Sequence, residues 1–106
     1  MNEGQHCYLS RLEDWFARNC NGDWEHTYGI SIETLDNPGW EVRIELQDTY
    51  LLNERFETVA NRIDETNWVH CSVSDGVFRG TGGIGKLQTV LRIFLEWAES
   101  QSSLQS

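Results

Sequence analysis

The spacing of apolar positions changes period along the chain. From about Gln5 to Asn19, Tyr8, Leu12, Trp15 and Phe16 fall at i, i+4, i+7 and i+8, the stripe of an amphipathic helix. Asn19-Cys20-Asn21-Gly22 then supplies residues that tolerate the left-handed conformation ending helices. Gly22-Asp23-Trp24-Glu25-His26 reads as an exposed connection. From Tyr28 the period becomes two: Tyr28, Ile30, Ile32 and Thr34 alternate with Gly29, Ser31, Glu33 and Leu35, and Trp40, Val42, Ile44 and Leu46 alternate with Glu41, Arg43 and Glu45. The two runs flank Asn37-Pro38-Gly39 and predict a hairpin. Pairing Ile32 with Ile44 and Ile30 with Leu46 groups the apolar side chains, sets Glu33 opposite Arg43, and leaves Asp36, Glu41 and Glu45 without a local base. Pro38 and Gly39 suit the two central positions of a type II turn, with a bulge beside it to correct the register.

Between Thr49 and Ile63 two periods compete. Tyr50 and Leu52 alternate like an edge strand, whereas Phe56, Val59, Ala60 and Ile63 are spaced like a helix; the reading is a third strand followed by an irregular or short helical stretch. Trp68 to Val73 predicts a strand with Val69, Cys71 and Val73 on one face, turning at Ser74-Asp75-Gly76 into a short fifth strand, Val77 to Arg79. Leu87, Val90, Leu91, Phe94, Leu95 and Ala98 mark a second helix from Gly85 to about Ser100, with Gln101–Ser106 a frayed tail. The order of elements predicts an α+β domain: a mainly antiparallel sheet of four to five strands with an N-terminal and a C-terminal helix packed on one face. One domain spanning residues 1–106, with its core at about 5–100, is expected, since 106 residues suffice for one compact core.

Composition adds limits on function. No apolar run approaches the roughly 20 residues of a membrane helix, and MNEGQHCYLS lacks a signal peptide's basic start and apolar stretch, so a cytoplasmic location is expected. Cys7, Cys20 and Cys71 are an odd number without C-x-x-C spacing, which makes reduced thiols the default. Seventeen acids against eight bases give a net charge of −9, which disfavours nucleic acid and anionic lipid and favours a basic partner. The excess is concentrated: Asn21 to Asp48 holds seven acids (Asp23, Glu25, Glu33, Asp36, Glu41, Glu45, Asp48) against Arg43, a local net of −6.

Several constellations could carry chemistry, and each fails a requirement. Gly80-Thr81-Gly82-Gly83-Ile84-Gly85-Lys86 fits G-x-x-x-x-G-K between a strand and a helix, but Leu87 stands where a magnesium-binding hydroxyl is needed. A glycine-rich bend crossing close to the sheet is the simpler reading. Cys20, His26, His70 and Cys71 are of metal-ligand or thiol-base type, yet His70 and Cys71 are adjacent on a strand and point to opposite faces. Asp23 and Glu25 as paired acid and base are better read as solvated. No cofactor, metal site or catalytic residue is therefore expected. Of the five tryptophans, Trp15, Trp40, Trp68 and Trp97 suit the core, whereas Trp24 lies between Asp23 and Glu25, the setting of an aromatic anchor for a basic surface.

The string CNGDWEHTYGISIETLDNPGW, followed by NWVHC, FRGTGG and the LRIFLEWAE helix, resembles the immunity protein 53 family of bacterial polymorphic toxin systems. The likeness spans about Leu12 to Ala98, and its long first string is the specific part. It implies a small cytoplasmic α+β protein encoded beside a toxin domain, which it binds and blocks without enzymatic activity. The resemblance supplies no contact residues, so the partner-binding residues expected here, Asp23, Trp24, Glu25, Asp36, Glu41 and Glu45, rest on charge and exposure. Two other readings compete: a small enzyme using Gly80–Lys86 or Cys71, and an interaction domain for a partner other than a toxin.

Overall fold

A computed structural model describes residues 7–105, the last four by their backbone alone. The elements in order are α1 (Tyr8–Asn19), α2 (Trp24–Thr27), β1 (Ile30–Leu35), β2 (Gly39–Glu45), β3 (Val59–Arg62), β4 (Trp68–Ser74), β5 (Val77–Gly83) and α3 (Leu87–Gln105). The strands form one antiparallel sheet in the order β1-β2-β5-β4-β3, which is the expected α+β architecture. Helix α3 lies on β5 and its neighbours β2 and β4, and α1 lies alongside α3. Ring contacts join the layers: Trp15 of α1 meets Phe94 of α3 edge-on at 5.2 Å, and Phe94 meets Phe78 of β5 at 5.0 Å. Arg11 closes the helix pair at the surface with a two-pronged contact to Glu99 at 2.6 and 3.0 Å.

Strand β5 differs most usefully from expectation. It runs through the glycines to Gly83, and its Gly80 and Gly82 lie on the helix-facing side between Val42, Cys71 and Val69. A Cβ on Gly80 would come within 2.4 Å of Val90 Cγ1, and one on Gly82 within 2.9 Å of Lys86 Cβ. The glycines are therefore the groove that lets α3 approach the sheet, within the central strand rather than in a bend after a short one. Gly39 acts alike. It has no positive φ, the turn before it contains a cis Asn37–Pro38 peptide, and its missing Cβ leaves room for the Gly82 carbonyl, 2.4 Å from where that atom would sit. The expected type II turn and adjoining bulge are absent, and the register is unbroken.

That register is shifted by two residues from the expected one: Ile30 faces Ile44, Ile32 faces Val42, Ser31 faces Arg43 and Glu33 faces Glu41. A two-residue shift keeps every side chain on its face, so alternation alone does not distinguish the two pairings. Leu46 follows the strand, buried, its N–H donating to the Gly76 carbonyl. The Asp75-Gly76 turn does follow its sequence signal, with φ of 54° and 75° at the two central residues of a tight hairpin.

The segment after β2 reverses the expectation. Thr49 to Asn53 is a turn, and the strand comes later, at Val59–Arg62. Apolar residues here form a strap along α3 instead of a ladder: Leu51 is fully buried, the Tyr50 hydroxyl donates to the Ala98 carbonyl, Phe56 stands edge-on to Trp97 and Phe78, and Trp97 Nε1 donates to the Arg55 carbonyl. At the other end α3 continues to Gln105, past the expected stop near Ser100, since nothing from Gln101 to Gln105 is a glycine or proline.

Candidate partner-binding surface

The six residues expected to face a partner are distributed over three places. At the first, α2 turns Trp24 inward. The ring is 2% exposed, Nε1 donates to the Gln47 carbonyl at 2.8 Å, and Trp15 and Phe16 pack against it edge-on. Trp24 is a core residue, and the expected part-exposed anchor is corrected accordingly. What turns it is a reciprocal cap: Asn21 Oδ1 accepts the Asp23 and Trp24 N–H groups, while the Glu25 carboxylate accepts those of Asn21 and Gly22. Backbone donors, its own N–H first, hold the Glu25 carboxyl below its ordinary range. Glu25 thus serves the local fold, and of this group Asp23 is exposed to solvent.

The second place is the outer face of the hairpin, on the side of the sheet away from α3. Glu41 and Glu45 lie there on β2 with Arg43 between them and Glu33 opposite Glu41. Glu41 is not without a base. Arg79 of β5, opposite Arg43, donates through Nε to the Glu41 carboxylate, whose side chain is 14% exposed. Glu45 is half-buried and, with Gly29, Ile30, Ser31 and Arg43, edges a shallow hollow. Two arginines thus interrupt the acids on this face. The third place is the hairpin turn, where Asp36 is exposed. It is separated from α2 by the length of β1, about 20 Å for six residues.

A feature that the periodicity did not reveal lies along β1. Ile32 is on the helix-facing side of the sheet yet 37% exposed, because β1 is the edge strand and α3 covers β5, β2 and β4. Phe16 of α1 is 36% exposed, and with Leu12, Glu13 and Ile30 it lines an apolar groove of about 250 Å³ between α1 and β1. Both side chains carry core-like spacing. Their exposure follows from strand order, which local sequence does not encode.

The residues considered for chemistry are placed otherwise. Gly80 to Gly83 are strand, so their N–H groups belong to a sheet rather than a loop around a phosphate. Cys71 is fully buried, and burial pushes its thiol up to about 12, away from the thiolate a nucleophile requires. His70 is exposed on the opposite face. Among the described residues no group of His, Cys, Asp and Glu is arranged to hold a metal ion, and no helix is long and apolar enough to cross a membrane.

No curated protein and no solved structure matches this chain. A family model does: that of immunity protein 53 matches residues 9–99, from the second residue of α1 to the Ala98–Glu99 turn of α3. The match takes in the reciprocal cap at α2, the hairpin, the glycine groove of β5 and the helix seated in it, and on that extent the chain belongs to the immunity protein 53 family.

Proposed function

We propose that this protein, acting as a single domain, neutralises a cognate toxin domain encoded nearby by binding it directly in the cytoplasm of the bacterium that makes both. The family assigns it to immunity, and a protein of that kind works by having a toxin partner. It does so without catalysis and without a cofactor. The observation that carries the finer reading is the helix-free hairpin face: Glu33 and Glu45 lie on it, Asp36 at its turn and Asp23 beyond its other end. These acids steer a basic toxin surface toward the hairpin, in a protein whose net charge is −9. Trp24 and Glu25 leave the contact set because they hold α2 in place, and Glu41 acts through its pair with Arg79.

The test is to purify the adjacently encoded toxin domain and follow its association with the protein at several salt concentrations. Changing Glu33, Asp36 and Glu45 together to lysine should slow association by about tenfold or more at low salt and flatten its salt dependence. Association that keeps its rate and its salt slope in a folded triple variant would refute the acidic surface. The enzyme reading has no comparable support, because the glycine segment is a strand and Cys71 is enclosed.

A further inference from the structure

We infer that β1 is a docking edge, to which the toxin adds an extended segment as a sixth strand, with apolar side chains entering the groove between α1 and β1 and basic side chains on the alternate positions. This rests on the reading of the protein as a toxin binder and specifies how it binds.

The backbone provides the first argument. The Glu45 N–H donates to the Gly29 carbonyl, so in this antiparallel ladder Gly29, Ser31, Glu33 and Leu35 direct their polar groups toward β2. The N–H and C=O groups of Ile30, Ile32 and Thr34 therefore point away from the sheet, and among the described residues no strand pairs with that side of β1. Natural edges are usually blunted by lysine, proline, a bulge or shortness. β1 has no lysine, proline or bulge and is six residues long; it reads Ile-Ser-Ile-Glu-Thr-Leu, and its one charge, Glu33, guards it against an acidic strand and not against a basic one. The opposite edge, β3, has four residues and carries Arg62.

Side chains provide the second argument. An added strand would alternate its side chains across the sheet, as β1 does. Those on the helix side would meet Ile32 and the groove formed by Leu12, Phe16 and Ile30; those on the outer side would meet Glu33. Charge selects the occupant. Glu13 lines the groove, Glu33 stands on the outer side opposite another glutamate, Asp36 lies just past the strand's end, and β1 carries no base. A second copy of this chain, itself at −9, would bring acid against acid at this edge, whereas a segment alternating apolar and basic residues satisfies backbone, groove and charge together.

The experiment uses the adjacently encoded toxin domain and two variants. Thr34→Pro removes an N–H that points out of the sheet and leaves the β1–β2 ladder intact. Ile32→Lys places a charge on the helix-facing side of β1, two residues along the strand from Ile30 of the groove. Each should weaken toxin binding by about 100-fold, while Arg62→Glu on the other edge changes it by less than about threefold. In the unaltered protein, toxin should slow amide exchange at Ile32 and Thr34. If Thr34→Pro fails to fold, as seen by loss of its cooperative melt, Ile32→Lys and the exchange measurement decide. Toxin binding that survives the variants, with exchange along β1 unchanged, would overturn the docking edge and leave neutralisation standing. A dimer held by β1 that leaves toxin binding undisturbed would do the same. Failure of the unaltered protein to bind that toxin overturns the neutralisation reading and this proposal with it.

Discussion

Gly80→Ala separates a glycine kept for space from one kept for freedom. Glycine in a strand costs conformational entropy, so where nothing obstructs a methyl group alanine should stabilise by roughly 0.4–1 kcal/mol. Here the added carbon would lie 2.4 Å from Val90 Cγ1, 3.2 Å from Phe78 Cε2 and 3.3 Å from Cys71 Sγ, contacts from α3, β5 and β4. Val90 has little means of escape, because a β-branched side chain in a helix is largely confined to one rotamer. Either α3 rises off the sheet or the core rotamers strain, and overpacking of this kind costs about 1–3 kcal/mol. The sign therefore reverses to a net loss, read as a lower urea midpoint at unchanged slope. Val90→Ala alone should cost about 2 kcal/mol, since the side chain is fully buried. The double variant should be more stable than the sum of the two losses by about 1–2 kcal/mol, as the new methyl group fills the space that the old ones vacate. A neutral or stabilising Gly80→Ala, or strict additivity in the cycle, would show that α3 does not sit in the glycine groove as described.

The two central tryptophans make a second comparison: Trp24→Phe removes the donor to the Gln47 carbonyl, while Trp15 Nε1 has no acceptor among the described residues to lose, so Trp24→Phe should be more destabilising than Trp15→Phe by about 1–2 kcal/mol in denaturant melts. Equal losses would refute the assignment. Asp64 accepts from the backbone N–H groups of Thr66 and then Asn67, with their side chains adding to this, and its carboxyl is lowered from 3.8 to about 2. A depressed folded value supports the β3–β4 turn fully above about 3.8 and loses that support as pH falls through about 2, so the Asp64 carboxyl and the Thr66 and Asn67 amides should titrate together near 2 by NMR. A midpoint near 3.8 would remove the hydrogen-bond explanation. Exposed Cys7 should react readily with a thiol reagent in the native protein, whereas Cys71 should react only at the rate of global unfolding. Early modification of Cys71 would reopen its role as a nucleophile.

How far the fold could be read from the chain depended on whether a signal was local. The helix stripe of Tyr8, Leu12 and Trp15, the alternation of Val69, Cys71 and Val73, and the Asp75-Gly76 turn each determine structure within a few residues of themselves, and each appears where periodicity places it. Gly80 and Gly39 look locally like punctuation. Their reason is α3 in one case and the Gly82 carbonyl in the other, partners supplied by distant parts of the chain. Tyr50 and Phe56 likewise look like strand and helix respectively because of the apolar residues spaced with them, and only α3 gives them a surface to strap. Trp24 is buried for a related reason. Flanking acids suggest solvent, but Asp23 stands at the N-cap of, and Glu25 on, a four-residue helix whose capping aims the ring between them at Gln47 and Trp15.

The acidic surface followed the same rule. Counting along Asn21 to Asp48 gives −6, and that sum treats a segment as though it were a surface. In the sheet β2 is shared with β5, and Arg79 brings to Glu41 a charge from 38 residues away. Glu25 is engaged with its own loop, and Arg43 separates Glu41 from Glu45. Among the described residues the acids of this segment without an ion pair or a capping hydrogen bond are Asp23, Glu33, Asp36, Glu45 and Asp48, and two of them, Glu33 and Asp36, lie on the edge strand β1 and its turn. On β2, paired on both sides, Glu41 finds a base on the neighbouring strand, whereas on β1 Glu33 finds none among the described residues. Glu33 and the unpaired backbone groups of β1 coincide for one topological reason, which is that no strand among the described residues lies beyond β1 to supply either a base or a hydrogen-bond partner.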